Sequence, residues 1–317
     1  MDTTAVILAA GRGTRMKTAI PKVLHLVCNQ PMLTYVFDAC REVGCGELIC
    51  VVGFGAERIK AAYADARDIT WVQQPQQLGT GHAVQVCKPQ LAGRDGELLV
   101  LAGDGPLVQA ETLRQLLAVH RRRRSACTLA TCIMDNPGSF GRVLRDETGE
   151  LIGVVEYLDA SEQQHAIKEV NVSLYCFDTA KLLEVIDDLK NDNAKGEYYL
   201  TDTLGMLRSR GYALAAVPAV PPEDVLSIND RLQLAEVSRL MQRRIQRRHM
   251  LAGVTIEDAG STWIDPRTSI GPDTVIRPMT VLDGRCRIGT GCIIGPMVHL
   301  TDAVVEDNQT VEHGHER

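Results

Sequence analysis

Apolar and polar positions alternate in blocks along the first 125 residues, and these blocks predict strands and helices in turn. The runs AVILAA, ELICVVG and ELLVLAGD are apolar at nearly every position, which is typical of strands buried on both faces of a parallel sheet. Residues 31–43 and the segment GAERIKAAYADA have the three- and four-residue spacing of amphipathic helices. The alternation predicts an α/β fold with a doubly wound, mostly parallel, Rossmann-like sheet.

Two polar features follow buried strands of this predicted sheet. Gly11 comes just after the first strand, and Asp104 comes just after the run ELLVLAG. In doubly wound sheets, ligands bind beyond the carboxyl ends of the strands. We therefore expect Gly11 and Asp104 at the binding edge of the sheet.

The pattern changes twice further along the chain. Between about residues 128 and 177, the runs CTLATCIMD, GRVLRDETGELIGVVEY and EVNVSLYCFD read as strands and hairpins. A helix is then predicted over residues 231–250, with Asp230 as its N-cap and Gln233 at the third helical position. The predicted divisions are a first domain over 1–229, a linker helix over 230–252 and a C-terminal part over 253–317.

The C-terminal part repeats every six residues. One position of the repeat is always aliphatic, and its residues are Ile264, Ile270, Ile276, Leu282, Ile288, Ile294 and Leu300. Small or β-branched side chains such as Thr268, Cys286 and Cys292 lie four residues after an aliphatic one. This periodicity is the signature of a short left-handed parallel β-helix. Because each coil takes three hexads, we expect a little over two coils.

Composition and charge narrow the class of protein. Of the 317 residues, 45% are hydrophobic and 23% charged, as in ordinary soluble domains, and the net charge of -6 argues against a nucleic-acid binder. The arginine run at residues 121–124 is interpreted as a solvated helix end. No apolar run approaches about 18 residues, and the N-terminus lacks a basic leader. Ten scattered cysteines without a C-x-x-C pair fit reduced thiols, so the predicted location is cytoplasmic.

The stretch VILAAGRGTRMKT, residues 6–18, nearly matches two phosphate-binding patterns. Both the P-loop pattern and the dinucleotide pattern GxGxxG require a glycine where this chain has Met16. Gly11 and Gly13 still predict a turn whose backbone N–H groups and neighbouring cations can bind a triphosphate. The alternative is a plain strand-to-helix turn with solvated charges. The cations concerned are Arg12, Arg15, Lys17 and Lys22.

The sequence LAAGRGTRM followed by PKVLH resembles the signature of the sugar-phosphate nucleotidylyltransferases. Further stretches resemble one branch, the bacterial N-acetylglucosamine-1-phosphate uridylyltransferases, and they occur in the same order: QQLGTGHA, GDGPL, FGRV, VVEY, EVNVSLY, NAKGEYYLTD and NDRLQL. The resemblance covers essentially residues 4–300, including the hexapeptide part. It implies Mg²⁺-dependent transfer of UMP from UTP to N-acetylglucosamine-1-phosphate, which yields pyrophosphate and UDP-N-acetylglucosamine, a cell-wall precursor.

The resemblance also implies roles for individual residues. Asp104 and Asn229 correspond to the magnesium ligands, and Arg15 and Lys22 correspond to the cations that bind and neutralise the phosphates. The alternative for Asp104 is a cap of the turn before Pro106, although its position at the edge of the sheet favours the metal. The alternative for Asn229 is a helix N-cap, but Asp230 with Gln233 makes an adequate cap without it. The residues that correspond to nucleotide binding are Leu8, Ala9, Ala10, Gly11, Gln74, Gly79 and Thr80. Those that correspond to sugar binding are Gly141, Glu156, Asn171, Tyr198 and Thr201, with Tyr199 beside them.

Three residues depart from the family pattern. Ala102 and Gly105 are smaller than the residues usual at their positions, and Phe140 replaces a tyrosine. These changes leave the catalytic charges in place but put the choice of sugar and nucleotide in doubt. The alternatives are the same chemistry on another sugar-1-phosphate or nucleotide, a non-catalytic sugar-nucleotide-binding regulatory protein, and a mainly structural subunit.

The bifunctional members of the family carry a longer β-helix with an acetyl-CoA-dependent acetyltransferase site. The residues of that site lie beyond the two coils predicted here, so we expect no acetyltransferase activity. His299, His313 and His315 are interpreted as part of a frayed polar C-terminus. The sequence leaves the oligomeric state open between a monomer and a homotrimer formed through the β-helix, and it predicts no nucleic-acid or membrane partner.

Overall fold

The structure, a computed structural model, describes residues 2–312 and the backbone of residues 314–316. The chain forms two compact units. The first contains Met1–His25 and Met32–Asn229, and the second contains Leu26–Pro31 and Asp230–Arg317. In the described part of the chain, no helix has both the length and the apolar composition needed to cross a bilayer.

The described residues of the first unit contain a nine-stranded sheet. Its strands in chain order are β1 (Thr3–Ala9), β2 (Glu47–Val52), β3 (Ile69–Gln73), β4 (Glu97–Ala102), β5 (Cys127–Ile133), β6 (Arg142–Arg145), β7 (Leu151–Val155), β8 (Glu169–Asp178) and β9 (Leu214–Val217). The spatial order is β9-β5-β8-β4-β1-β2-β3, and the β6–β7 hairpin pairs through β6 with β8. Strand β8 runs antiparallel to β4 and β5, and the other pairs along this path are parallel. The predicted mostly parallel sheet is confirmed.

Strand β1 lies between β2 and β4 in the middle of the sheet. Its residue Ile7 pairs with Cys50 on one side and with Leu101 on the other. Ala5, Val6 and Ile7 are all 0% exposed. Burial on both faces explains why the sequence is apolar at consecutive positions here instead of alternating.

Helices and turns connect the strands of the first unit. The helices are α1 (Met32–Glu42), α2 (Ala56–Ala62), α3 (Thr80–Gln85), α4 (Lys88–Leu91), α5 (Ala110–Arg123), α6 (Glu162–His165), α7 (Thr179–Val185) and α8 (Asp202–Ser209). The 3-10 turns are Thr14–Met16, Lys22–Leu24, Tyr157–Asp159, Ile186–Asp188 and Pro222–Asp224. The stretch GTGHAVQVCKPQL forms two helices, α3 and α4, because Pro89 in the first turn of α4 lacks the N–H that a continuous helix needs.

The second unit begins with the long helix α9 (Arg231–Leu251). The Asp230 carboxylate accepts a hydrogen bond from the Gln233 backbone N–H at 2.9 Å, so the predicted N-cap is confirmed. Further along α9, the buried Gln242 amide bonds to both backbone groups of Ile264, at 2.7 and 3.0 Å. These bonds join α9 to the first coil that follows it.

The rest of the second unit is a β-helix built from three narrow parallel sheets. The strands of the first sheet are Thr255–Ile256, Val275–Ile276, Ile293–Ile294 and Thr310–Val311. Those of the second sheet are Trp263–Ile264, Val281–Asp283, Val298–Thr301 and Gly314–Glu316. Those of the third sheet are Ser269–Ile270, Arg287–Ile288 and Val304–Val305. All seven aliphatic residues of the hexads are at most 9% exposed. The predicted parallel β-helix is confirmed.

The β-helix is longer than the predicted length of a little over two coils. Over the described residues, two of its sheets contain four strands and the third contains three. Ile256 pairs with Ile276, and Ile294 pairs with Val311, so these coils take 20 and 17 residues instead of 18. Counting regular hexads therefore missed the coils at both ends.

The hairpin Leu26–Val27 and Gln30–Pro31 belongs to the second unit although it lies early in the chain. In its turn, the Asn29 side-chain amide donates a hydrogen bond to Asp283 at 2.7 Å. The Cys28 thiol donates to the Ser238 carbonyl oxygen on α9 at 3.4 Å. Local sequence patterns did not predict this assignment, because it depends on contacts with residues more than two hundred positions away.

Candidate active site

The glycine-rich loop after β1 forms the 3-10 turn Thr14–Met16. Gly13 has φ 60°, in the left-handed region, and a Cβ at this position would lie 2.7 Å from the Lys22 Cβ. Met16 is only 1% exposed, so an inward-facing side chain stands where the two phosphate-binding patterns require glycine. A Cβ at Gly11 would have no atom within 4 Å, and Gly11 therefore borders open space.

Lys22 lies between two side chains that carry oxygen. Its Nζ forms an ion pair with Asp104 and donates a hydrogen bond to Asn229 Oδ1 at 3.0 Å. Asp104 follows β4, and its carbonyl oxygen accepts a hydrogen bond from the Ile228 backbone N–H at 3.1 Å. This backbone bond holds the segment before Asn229 against the end of β4. The structure thus brings together three of the four residues to which the resemblance assigned metal and phosphate binding; the fourth is Arg15.

The donor set at this point suits a divalent cation. The Asp104 carboxylate and the Asn229 amide oxygen already converge on one positive charge, the Lys22 ammonium. Both are hard oxygen donors of the kind that Mg²⁺ prefers, and the Asp104 side chain keeps 21% of its surface exposed to water. Among the described residues, no group of three or more His, Cys, Asp or Glu side chains could hold a metal. A cation that takes one or two protein ligands and keeps several waters fits this arrangement.

Asp104 borders a cleft of about 340 Å³ in the first unit. The residues of its walls that the sequence predicted are Leu8, Ala10, Gly11, Gln74, Gly79, Thr80, Asp104, Glu156 and Tyr199. Polar residues of its walls to which the sequence assigned no role are Gln77, Ser173, Tyr175, Lys195 and Glu197. All five fall inside the stretches QQLGTGHA, EVNVSLY and NAKGEYYLTD, so membership of those motifs was the signal that could have found them.

The predicted nucleotide residues near β3 are held by two paired loops. Gln74 is 3% exposed, and its side-chain amide donates to the Gly79 carbonyl oxygen at 3.1 Å. The Tyr198 backbone N–H donates a hydrogen bond to the Leu78 carbonyl oxygen at 2.8 Å, and the Gly81 backbone N–H donates one to the Tyr198 carbonyl oxygen at 2.7 Å. Gly79 has φ 112°, and a Cβ there would lie 2.6 Å from the Tyr198 carbonyl oxygen. Only glycine allows the two loops to approach this closely.

Glu156 has a defined position on the predicted sugar side of the cleft. Its Oε1 accepts a hydrogen bond from the Thr201 hydroxyl at 3.1 Å, and burial raises the pKa of its carboxyl group. A Cβ at Gly141 would lie 3.5 Å from Glu156 Oε2, so Gly141 lies directly against this carboxylate. Thr201 is 3% exposed and orients Glu156 from within the protein.

Asn171 is buried in β8 and makes three hydrogen bonds within the protein. Its backbone N–H donates to Gly141 at 2.9 Å, and its side-chain amide donates to the Tyr175 hydroxyl at 2.7 Å. Its Oδ1 accepts from the Ser173 N–H at 3.0 Å. Tyr175 and Ser173 line the cleft, so Asn171 positions residues of the cleft wall.

Tyr198, which the sequence assigned to the sugar side, does not line the cleft. Its side chain packs against the hydrophobic core of the first unit, with its ring centroid 6.3 Å from that of His82. Tyr199, the next residue, lines the cleft instead. Burial raises the pKa of Tyr199 to about 12, so its hydroxyl remains a hydrogen-bond donor at neutral pH.

Ala9 and Arg15 also lie outside the walls of the cleft. Ala9 is 3% exposed, and its side chain lies 3.3 Å from the Cβ position of Gly103. Arg15 is exposed on the 3-10 turn of the glycine-rich loop. Its contact with phosphates stays a prediction from sequence.

The interpretation of the three late histidines as a frayed end is wrong for His299. This residue lies in the strand Val298–Thr301, and its Nε2 contacts Asp283 Oδ2 at 2.6 Å. His315 lies in the strand Gly314–Glu316, whose backbone pairs with Val298–Thr301, and nothing is described of its side chain. His313 lies outside the described residues.

Family models and similar proteins agree on the family of this chain. The model of the MobA-like NTP transferase domain matches residues 5–170, and the bacterial transferase hexapeptide model matches residues 267–302. The bifunctional protein GlmU of Geobacillus species strain WCH70 is 46% identical over 98% of this chain and 67% of its own length. The proteins of the same name from Brevibacillus brevis and Pelobacter propionicus are each 42% identical over the same shares.

A solved structure has a similar fold. It is the crystal structure of a UDP-glucose pyrophosphorylase complexed with UDP-glucose, with a TM-score of 0.61 and 18% identity. The match covers 77% of this chain and 100% of the other. At this identity, the likeness supports the nucleotidyltransferase fold alone.

The chain belongs to the family of MobA-like NTP transferases, and it is therefore a nucleotidyltransferase. Within this class it is similar to the GlmU proteins over nearly its whole length, and its activity is that of an N-acetylglucosamine-1-phosphate uridylyltransferase. Enzymes of this kind generally use a divalent metal and act on nucleotide and sugar-phosphate substrates.

Proposed function

We propose that the cleft of the first unit transfers UMP from UTP to N-acetylglucosamine-1-phosphate with Mg²⁺ held by Asp104 and Asn229. The observation that carries this proposal is the convergence of Lys22, Asp104 and Asn229 beside the glycine-rich loop. Three residues from distant parts of the chain place one positive charge and two oxygen ligands at the same edge of the cleft. A protein that only bound a sugar nucleotide would not need this combination.

The proposed reaction is a phosphoryl-group displacement without a protein nucleophile. A phosphate oxygen of the sugar-1-phosphate forms a bond to the α-phosphorus of UTP, and the bond from that phosphorus to the bridging oxygen of the β-phosphate breaks. The products are UDP-N-acetylglucosamine and pyrophosphate. Because two anions must approach each other and the leaving group gains charge, catalysis depends on cations and positioning.

The residues of this chain supply those cations and that positioning. Lys22 neutralises the reacting phosphates, and the backbone N–H groups near Gly11 and Gly13 bind the triphosphate. When bound, Mg²⁺ supplies electrostatic stabilisation of the phosphate charges, with Asp104 and Asn229 as its protein ligands. The Lys22 ammonium now occupies the position between these ligands, so it is already placed beside the phosphates that approach them.

The two ends of the cleft divide the recognition of the substrates. Gln74 and the Gly79 loop bind the uracil base, for which an amide side chain and backbone groups provide donors and acceptors. Glu156, held by Thr201, accepts hydrogen bonds from sugar hydroxyl or amide groups. Tyr199 adds a donor on the same side of the cleft.

The experiment that tests this proposal measures pyrophosphate release by the purified chain with Mg²⁺. Each of UTP, CTP, ATP and GTP is combined with N-acetylglucosamine-1-phosphate, glucosamine-1-phosphate and glucose-1-phosphate. We expect fast release only with UTP and N-acetylglucosamine-1-phosphate. Release with a different pair would keep the mechanism but contradict the proposed substrates. Binding of UTP without release for any pair would contradict the enzymatic function and support a regulatory binding protein.

Three properties of the whole protein stay predictions from sequence. These are the absence of acetyltransferase activity, an oligomeric state that is either a monomer or a homotrimer formed through the β-helix, and a cytoplasmic location. An assay with acetyl-CoA and glucosamine-1-phosphate tests the first, and light scattering of the purified chain tests the second.

A further inference from the structure

A second cavity of about 290 Å³, here called the side cavity, adjoins the cleft of the first unit. It shares Ala102, Asp104 and Ser173 with the walls of the cleft. Its remaining walls are largely apolar, and they include Gly105, Val108, Phe140, Val172 and Val225. The residue proposed to hold the metal, Asp104, therefore lies between two cavities.

Two of the residues in the walls of the side cavity, Ala102 and Gly105, have small side chains or none. Gly105 follows Asp104, and a Cβ at this position would meet no atom closer than the Ala102 carbonyl oxygen at 4.0 Å. The backbone of Gly105 does not have the left-handed conformation that requires glycine. A larger side chain thus has room at position 105, and it would extend into the space that this glycine leaves open.

The side cavity adjoins the sugar side of the cleft. Of the residues that line the described cavity, none belongs to the predicted nucleotide-binding set. In contrast, Phe140 precedes Gly141 and Val172 follows Asn171, and the Asn171 N–H donates to the Gly141 carbonyl oxygen at 2.9 Å. The two apolar walls therefore belong to the same pair of segments that carries the predicted sugar-binding residues.

The size and chemistry of the side cavity define the group that fits it. An apolar cavity of about 150 Å³ is sufficient to bind benzene, so the side cavity of about 290 Å³ has room for a larger group than an acetyl methyl. The apolar side chains favour a hydrocarbon group. Gln109 donates a hydrogen bond to the Asp224 carboxylate at another part of the wall, so that polar pair is already satisfied internally.

We propose that the side cavity is a subsite for the sugar substrate, which takes an apolar acyl group, larger than acetyl, carried on the sugar of a sugar-1-phosphate. This inference rests on the proposed function, because it requires the sugar-1-phosphate to lie in the cleft beside Asp104. It widens the acceptor range of the enzyme from N-acetylglucosamine-1-phosphate to acceptors with bulkier acyl groups.

The test measures pyrophosphate release with Mg²⁺, UTP and two series of acylated glucosamine-1-phosphates. One series carries acetyl, butanoyl or benzoyl on the amino group, and the other carries butanoyl or benzoyl on the 6-hydroxyl of the N-acetyl compound. The quantity compared is the ratio of kcat/KM for the bulky acceptor to kcat/KM for N-acetylglucosamine-1-phosphate. For at least one bulky acceptor, we expect this ratio to lie within tenfold of unity in the unaltered chain.

Two variants fill the side cavity from different walls, Gly105→Leu and Val108→Phe. We expect each to lower the ratio for the bulky acceptor at least tenfold, because a pocket that loses the space of one methylene already discriminates by that factor. The matched control is Gly205→Ala on α8, where a Cβ also meets no atom within 4 Å. It should leave the ratio unchanged. Circular dichroism of each variant checks that the fold is retained.

Two results would overturn the inference. One is turnover of N-acetylglucosamine-1-phosphate together with no turnover of any bulky acceptor. The other is turnover of bulky acceptors with a ratio that neither filling variant lowers, since the acyl group would then lie elsewhere. No release with any acceptor, including N-acetylglucosamine-1-phosphate, would instead contradict the proposed function itself.

Discussion

The position of Lys22 determines how charge is arranged at the edge of the cleft. A buried ammonium group is stable only with partners, and its partners here are a carboxylate and an amide oxygen. The Lys22 side chain keeps 13% of its surface exposed, so the pair is only partly shielded from water. Asp104 and Asn229 hold the cation beside the glycine-rich loop, where we propose that it meets the phosphates.

We predict that Lys22→Met lowers kcat for pyrophosphate release by about 100- to 1,000-fold, which is the usual cost of removing one group that stabilises transition-state charge. The matched control is Lys88→Met. Lys88 also pairs with an aspartate, Asp187, but both lie on the protein surface outside the cleft. Steady-state kinetics with UTP and N-acetylglucosamine-1-phosphate measure both variants. Equal effects of the two substitutions would contradict the assigned role of Lys22.

At the residue scale, the sequence predicted which side chains carry charge but not always which way they face. The stretch GDGPL identified Asp104, and the structure places this residue at the predicted edge of the sheet. The stretch GEYY did not distinguish Tyr198 from Tyr199, because two adjacent aromatic residues in an extended segment give no sign of which one faces the core. The pairing of Tyr198 with Leu78 and Gly81 decides this, and it depends on the folded chain.

At the scale of elements, the loop that contains Gly79 is held in place by its neighbour. Gly79 has φ 112°, and a Cβ at this position would lie only 2.6 Å from the Tyr198 carbonyl oxygen. We predict that Gly79→Ala lowers the free energy of unfolding by about 1–3 kcal/mol, from backbone strain and the displaced loop. We also expect weaker UTP binding in calorimetry, since Gln74 donates to the carbonyl oxygen of Gly79.

The control for this prediction is Gly196→Ala. Gly196 also has a positive φ, 65°, but a Cβ there would meet no atom within 4 Å. The Gly196→Ala substitution therefore has the strain of a positive φ but does not push a neighbouring loop away. If both variants lost the same stability and bound UTP equally well, the loop pairing would not matter for the site.

Helix α9 contains a buried histidine that makes the second unit sensitive to acid. His249 is 6% exposed, and burial, with a smaller contribution from the Arg248 charge, lowers its pKa from 6.5 to about 4. The folded chain therefore holds the neutral form. The stabilisation is complete above pH 6.5 and is lost as the pH falls towards 4. By linkage, we predict a loss of about 2 kcal/mol of unfolding free energy between pH 7 and pH 5.

Fluorescence can measure this loss for the second unit. The chain has two tryptophans, Trp71 in the first unit and Trp263 in the second, so a Trp71→Phe background leaves Trp263 as the reporter. Denaturant unfolding is then compared at pH 7 and pH 5. His249→Phe should remove most of the pH-dependent loss. A loss of the same size in this variant would show that another group titrates.

The β-helix shows where periodicity is sufficient to predict an element and where it is not. Seven hexads predicted the inward-facing residues, and all of these are buried. The coils of 20 and 17 residues were not predicted, because their corners are longer or shorter than the regular hexads require. The strands of these coils still pair in parallel, but their residues no longer follow a six-residue period.

At the scale of the whole molecule, alternating apolar and helical blocks were sufficient to predict the sheet and the edge at which Gly11 and Asp104 lie. Nothing in the sequence around Leu26–Pro31 indicated that this hairpin joins the second unit. Its contacts with Asp283 and with the Ser238 carbonyl oxygen join residues far apart in the chain. Such assignments follow from the packing of the complete chain and not from local patterns.

The central claim is that the edge of the cleft formed by Asp104, Asn229 and Lys22 carries out uridylyl transfer. The most direct test is kcat/KM for pyrophosphate release from UTP and N-acetylglucosamine-1-phosphate in Asp104→Asn, which keeps the shape of the side chain and removes its charge. Asp187→Asn is the matched control, because Asp187 also pairs with a lysine but lies outside the cleft. We predict a fall of at least about 100-fold for Asp104→Asn and less than twofold for the control. Unchanged activity in Asp104→Asn would contradict the account.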